Sequence, residues 1–296
     1  MTASASKALK SNAIAYSFIL PNLIGFAVFT LVPMAFALAL SFTKWDGANP
    51  MTFVGMKNFT RMLSDENFRI SLLNTLYFVA GTVPTTLVLS LLLAVLLNRE
   101  FKGRNFFRAA FFFPFVASLV AVSVVFNMMF FPSMGPVNNI LRAIGVRNPP
   151  AWTASVTWAM PTVIMAYVWR SVGYYMIIYL AALQGVPREL YEAARIDGAS
   201  SAQCFRKITV PLLTPATFLV TILLTIASFK IFDLILVMTA GGPGRATNVL
   251  VYTIYDSAFL SFEYGYASAQ AMVLFLMVLA VTIVQFRGEK KWVAYL

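Results

Sequence analysis

Six stretches of this chain are apolar on every side instead of along one stripe: about residues 14–42, 71–97, 109–131, 155–183, 211–239 and 266–286. Each is long enough for a helix to cross a hydrocarbon layer, which takes about 20 residues. Four of them hold no charged residue. Isolated strands would leave their backbone groups without partners in lipid, so the pattern predicts helices. The expected fold is an all-α integral membrane protein of six transmembrane helices. No internal repeat or low-complexity linker divides the chain, so one membrane domain over 1–296 is expected.

Between the fourth and fifth runs the pattern changes. The stretch ELYEAARIDGASSAQCFRKITVP, Glu189–Pro211, is charged and favours a helix. Pro187 suits a first helical turn, Glu189 and Glu192 match the positive end of the helix dipole, and Gly198 can close the helix in a left-handed conformation. A helix over about 187–198 follows, about 15 Å long and too short to span. Leu190, Ala193, Ala194 and Asp197 recur at three- and four-residue spacing on one face of it. Two adjacent alanines leave that side smooth. From the residues alone it is either a linker lying at the membrane surface or a face that another surface can approach.

Composition narrows the class. The chain is 60% hydrophobic with a mean hydropathy of +0.79, more oily surface than a soluble globule of 296 residues could hide. It has no histidine and a single cysteine, Cys204. A disulfide within the chain, multi-cysteine zinc sites and histidine general-base catalysis are therefore excluded. The net charge of +11 is distributed by topology. With the N-terminus in the cytoplasm, 13 of the 22 Lys and Arg fall in cytoplasmic segments and 7 outside. The positive-inside rule then predicts both termini in the cytoplasm, and the basic excess is an orientation signal, not a nucleic-acid surface. Lys7 and Lys10 precede the first run and Ala37-Leu38-Ala39 mimics a cleavage site. The run is too long for a signal peptide, so a retained helix is expected.

No Gly-x4-Gly-Lys-Ser/Thr phosphate loop occurs in the sequence. AGGPGRAT at 240–247 lacks the lysine and is expected outside, shaping a turn between spans. The chain is therefore expected not to hydrolyse ATP.

Glu192-Ala193-Ala194, then Gly198 after three intervening residues, then Ile208-Thr209-Val210-Pro211 after nine more, resembles the coupling-loop signature of ABC importer permeases. Val210, where that signature has leucine, is a mild departure. ILPNLIGFAVFTLVPMAFALALSFTKWD, FVGMKNF near residue 55, SLLNTL at 71–76, FKIFDLILVMTAGGPGRATNVL and YGYASAQA extend the likeness over nearly the whole chain. They are similar to carbohydrate-uptake permeases of the maltose and glycerol-phosphate type, the half with a GGP stretch after span five, in its shorter six-span form. The resemblance implies that the short helix docks in a cleft of a separate ATPase, with Leu190, Glu192, Ala193, Ala194, Asp197, Gly198, Ile208 and Pro211 as coupling residues. It also implies a second homologous permease, two ATP-binding cassette subunits that bind ATP and Mg, and an extracytoplasmic solute-binding protein. The setting it implies is the cytoplasmic membrane of a bacterium or archaeon, and the cargo a sugar.

Charges within the spans point to a path, because burying one in lipid is costly. They are Arg170 in span four and Lys230 and Asp233 in span five. The last two are three residues apart and could pair, or Lys230 could snorkel to the interface. A sugar needs hydrogen-bonding groups and aromatic faces. Asn127, Tyr174, Tyr175, Thr225, Phe229 and Phe232 could supply them, or could simply pack between helices. Pro84, Pro114, Pro161 and Pro215 are expected to kink their helices. A carrier working alone on an ion gradient is the competing reading. Against it stand the single intramembrane carboxylate and a docking helix that would have no task. A membrane enzyme lacks any nucleophile–base or metal constellation.

Overall fold

The computed structural model describes residues 16–292. Lys7, Lys10 and the start of the first run, expected at residue 14, lie outside the described residues. Two compact units divide the chain: residues up to Ser64 together with Ile254–Val273, and Asp65–Thr253 together with residues from Leu274 onward.

In the first unit, α1 (Tyr16–Leu40) is apolar throughout, and only 6% of its apolar window is buried. Its Ala27–Leu31 stretch is wound as a wide π turn just before Pro33. Such a turn accommodates the N–H that proline lacks and its ring, which crowds the carbonyl four residues back. A short hairpin follows, β1 (Thr43–Lys44) and β2 (Thr52–Phe53), with Thr43 opposite Phe53 and Lys44 opposite Thr52. Then comes the amphipathic α2 (Lys57–Ser64). The buried Asn58 side chain donates to the Ser41 and Thr43 carbonyls at 2.9 and 2.8 Å, which holds α2 against the end of α1.

The second unit is built on α3 (Glu66–Leu97) and α7 (Ala159–Gln184). The Asp65 carboxylate caps α3, accepting from the Asn67 and Phe68 N–H groups. The buried face of α3 runs Phe68, Ser71, Thr75, Phe78, Thr82, Thr86, Ser90, Ala94 and Leu97, one side of a 3.6-residue repeat. Small residues let helices approach closely in lipid. The Ser71, Thr75, Thr82 and Ser90 hydroxyls donate to carbonyls of α3 itself, three or four residues back. The apolar window of α7 is 61% buried, against 22% for α3, so α7 is the central helix of this unit.

Runs two, four and six each fall on one helix: α3, which starts earlier than residue 71, α7, and α13 (Tyr264–Trp292), which ends later than residue 286. Runs three and five are not single helices. Run three is α4 (Arg104–Val116) and α5 (Leu119–Met129), bent by 98° at a break after Val116. Between α5 and α7 lie the short α6 (Pro136–Ala143) and a 3-10 turn at Trp152–Ala154. Run five begins with a 64° bend at Leu213, where α9 (Ser201–Leu212) meets α10 (Thr214–Phe229), and breaks again before α11 (Asp233–Met238). Four described helices are long and apolar enough to cross a membrane, and six segments are if each bent pair counts as one span.

The Gly-Pro-rich stretch is an ordered turn. Gly241, Gly244, Ala240 and Arg245 take positive φ, and the Gly242–Pro243 peptide is cis. The Asn74 side chain donates to the Arg245 and Asn248 carbonyls, and the Thr75 hydroxyl accepts from the Leu250 N–H. The turn is thereby closed onto α3, and α12 (Leu250–Leu260) follows it.

Candidate functional site

Pro187, at φ −57° and ψ 132°, stands just ahead of α8 (Arg188–Ile196), one position before the first-turn place its sequence suggested. Glu189 lies in the first turn and Arg195 in the last, each at the favourable end of the dipole. The end of α8 is closed by two reverse hydrogen bonds, Ala199 N–H to the Ala194 carbonyl (2.8 Å) and Gly198 N–H to the Arg195 carbonyl (3.0 Å). Gly198 has φ +80°, the left-handed conformation that this closure needs. Ser200 and Gln203 then form a reciprocal capping box that starts α9. The chain thus stops one helix and begins another within four residues.

No residue of α8 is buried. Its inner side is marked by Tyr191 and Ala194, both half-buried. The Tyr191 hydroxyl lies 2.9 Å from the Thr209 hydroxyl, within the π turn Phe205–Thr209 of α9. Arg188 approaches Glu100 at 3.9 Å, but both are largely exposed, so the pair adds little. The outer side carries Glu189, Leu190, Glu192, Ala193 and Asp197, and also Ile196, which is 87% exposed. Ala194, which spacing groups with Leu190 and Ala193, is therefore turned inward in the structure, and Ile196 is exposed beside those two. Ile196 lies at the same three-residue step as Leu190 and Ala193, which was the available signal. Ile208 and Pro211 are half-buried in α9.

The intramembrane candidates fall into separate groups. Arg170 of α7 donates to the Phe115 carbonyl (3.1 Å), and its guanidinium lies 5.0 Å from the Phe115 ring centroid. That carbonyl is one of those the break after Val116 leaves without a helical partner. Tyr174 stacks on the same Phe115 ring, with centroids 4.3 Å apart, and meets Tyr175 edge-on. Asn127 of α5 donates to the Val237 carbonyl of α11 (3.2 Å), while its own carbonyl oxygen is buried without a partner among the described residues. Phe229 is buried at the end of α10, and Lys230 and Asp233 are exposed on either side of the break. They form no ion pair among the described residues. A continuous helix would set them on one face, and the break removes that geometry. Each instead sits at the dipole end that suits it, the cation at a C-terminus and the carboxylate in a first turn.

Arg170 has a structural task here, and this is testable. Arg170→Met leaves the Phe115 carbonyl unpaired, so it is expected to lower stability in detergent by about 1–3 kcal/mol. Solute affinity should be unchanged in the folded fraction. An unchanged melting temperature with a raised uptake KM would mean that Arg170 meets the solute instead.

Residues 86–291 match the family described as binding-protein-dependent transport system inner membrane component. The probable ABC transporter permease protein YesP of Bacillus subtilis (strain 168) is 36% identical over 290 residues, covering 97% of this chain and 93% of that protein. The probable starch degradation products transport system permease protein AmyD of Thermoanaerobacterium thermosulfurigenes is 33% identical over 269 residues, covering 90% and 91%. The fold matches a chain in the crystal structure of a bacterial ABC transporter involved in import of the acidic polysaccharide alginate. The TM-score is 0.85 and the identity 24%, with 97% of this chain and 99% of that one covered. With most of its length matched in this way, the chain belongs to the family of binding-protein-dependent transport system inner membrane components and is a permease of an ABC importer.

Proposed function

We propose that this permease forms half of a translocation path for a sugar or a similar polyhydroxylated solute, and that α8 is its grip on a separate ATPase. The observation that carries the reading is a nine-residue helix with no buried residue, whose outer side sets the exposed apolar Leu190, Ala193 and Ile196 among the acidic Glu189, Glu192 and Asp197. A helix held to its own chain only along the Tyr191 and Ala194 side, yet closed at its end, leaves the rest of its surface for another partner. Six spans, each bent pair counted as one, with both termini in the cytoplasm, put α8 on the side where ATP is made. The partners are then a second homologous permease, two ATP-binding cassette subunits holding ATP and Mg, and an extracytoplasmic solute-binding protein. No cofactor belongs to this chain. ATP binding closes the ATPase pair, moves α8, and through Tyr191 and Thr209 moves the foot of span five. The cavity alternates between the two sides by population shift.

The sugar class is supported by the likeness to AmyD, a probable permease for starch degradation products, and by two features that polyols use, the stacked rings of Phe115 and Tyr174 and the spare Asn127 carbonyl. The test is purification of the tagged chain in mild detergent, followed by reconstitution. A co-purifying Mg-dependent ATPase is expected, with uptake that persists after ionophores collapse all ion gradients. Uptake by the chain alone that stops with the gradient would sink the proposal in favour of a stand-alone carrier.

A further inference from the structure

The first unit contains a cleft of ≈ 720 Å³ between the β1–β2 hairpin, α2 and the start of α13. That is within the range of small-ligand sites, about 300–1,000 Å³. Five charged side chains line it: Lys44, Asp46, Lys57, Arg61 and Glu263. Three of these are already matched. The Asp46 carboxylate accepts from the N–H groups of Ala48 (3.1 Å) and Asn49 (2.8 Å) and from the Asn49 side chain (2.6 Å), and these bonds hold its pKa down at about 2. Arg61 donates twice to Glu263, at 2.9 and 2.8 Å, and its guanidinium lies 4.0 Å from the Tyr266 ring centroid.

The other two are not matched. The ammonium groups of Lys44 and Lys57 have no hydrogen-bond or ion-pair partner among the described residues. Asn58, next to Lys57, is fastened to the Thr43 carbonyl, next to Lys44, so both cations are fixed to one cleft. Lys57 opens α2, where the helix dipole already disfavours a cation, and no acidic residue in that turn offsets it. Apolar side chains accompany these charges. Trp45, Phe262 and Tyr266 line it, and Phe53 (80%), Met56 (59%) and Leu63 (88%) stand exposed on the elements that form it. The helix leading into it, α1, is apolar on all sides and almost unburied. A soluble anion would need the two cations but not the exposed apolar rim. A lipid needs both.

We infer that this cleft binds the phosphodiester headgroup of an anionic membrane phospholipid, with Lys44 and Lys57 meeting the phosphate and the acyl chains lying along α1. This does not depend on how α8 is used. The test is native mass spectrometry of the full chain, with whatever subunits co-purify, taken from nanodiscs of phosphatidylcholine containing a minority of phosphatidylglycerol. One phosphatidylglycerol per chain is expected to be retained. In Lys44→Gln/Lys57→Gln its affinity should fall about fivefold per lysine, about thirtyfold for both. Arg99→Gln/Lys102→Gln, two cations that do not line the cleft, should leave it unchanged. Both lysines are exposed and unpartnered, so the double variant is expected to melt where the parent does. If it does not, Lys57→Arg, which keeps the charge, must retain the lipid. Equal retention by the double variant, equal retention of phosphatidylcholine, or displacement of the lipid by millimolar inorganic phosphate would each overturn the assignment.

Discussion

Ile196→Glu is expected to leave a folded permease in the membrane that no longer holds its ATPase. Ile196 is 87% exposed and touches little of its own chain, so the exchange should change the stability of the isolated subunit by only about 0.5 kcal/mol. If α8 docks as proposed, the same position is covered. A carboxylate there, without a partner, costs about 2 kcal/mol or more, which weakens the contact by about thirtyfold. The measurement is the ATPase-to-permease ratio after affinity purification, taken beside solute uptake in the same cells. Leu190→Asp should behave alike. Gly198→Trp should reach the same end by another route, since φ +80° strains any side chain although the space around it is open. Normal uptake and a normal subunit ratio in all three variants would remove α8 from the coupling path.

Gly173→Ala, a single added methyl, should prevent most of the protein from folding. A Cβ at this position of α7 would overlap the backbone carbonyl of Phe111 in α4, and a backbone cannot step aside as a flexible side chain can. Overpacking of this kind costs about 3 kcal/mol, and Gly173→Leu should be worse. Gly25→Ala is the matched control, because a Cβ there meets nothing within 4 Å. Size-exclusion profiles of fluorescent fusions should show a monodisperse peak for Gly25→Ala and an aggregated one for Gly173→Ala. A monodisperse, heat-stable Gly173→Ala would mean that the two helices do not cross this closely.

What the sequence made legible was the chemistry of long segments. Charge-free apolar runs announced helices in lipid. Pro187 and Gly198 marked both ends of α8 to within two residues, because a proline start and a left-handed stop are local events. The breaks were hidden for the opposite reason. Around Ala117 and Ser118 the residues on either side are as apolar as the rest of the run, so hydropathy passes through a 98° bend unchanged. Pro114 suggested a kink within one helix, yet the helix ends beyond it, at Val116. Once that break exists, Arg170 acquires the Phe115 carbonyl as a partner, which no spacing rule could have supplied. The Lys230–Asp233 pairing failed likewise, since it assumed a continuous helix through Ile231. On α8 the spacing gave a face but not its centre. Which side of a short helix turns inward was decided by Tyr191 finding Thr209, a contact eighteen positions away.

The hydroxyls of α3 bear on how the machine moves. The helix pair α3 and α7 is the most extensive of the second unit; on the buried face of α3 the Ser71, Thr75, Thr82 and Ser90 hydroxyls are turned back onto α3's own carbonyls, the Thr86 hydroxyl is buried without a partner, and no hydrogen bond joins the two helices among the described residues. Thr82 reaches Ser228 of α10 instead. Displacing α7 along α3 therefore breaks no hydrogen bond between these two helices, each of which would be worth about 1 kcal/mol, and exchanges van der Waals contacts, the edge-on pair of Phe78 and Tyr167 among them. The interface is a bearing, not a weld: close-fitting, low in friction, and suited to a stroke that must reverse at every turnover.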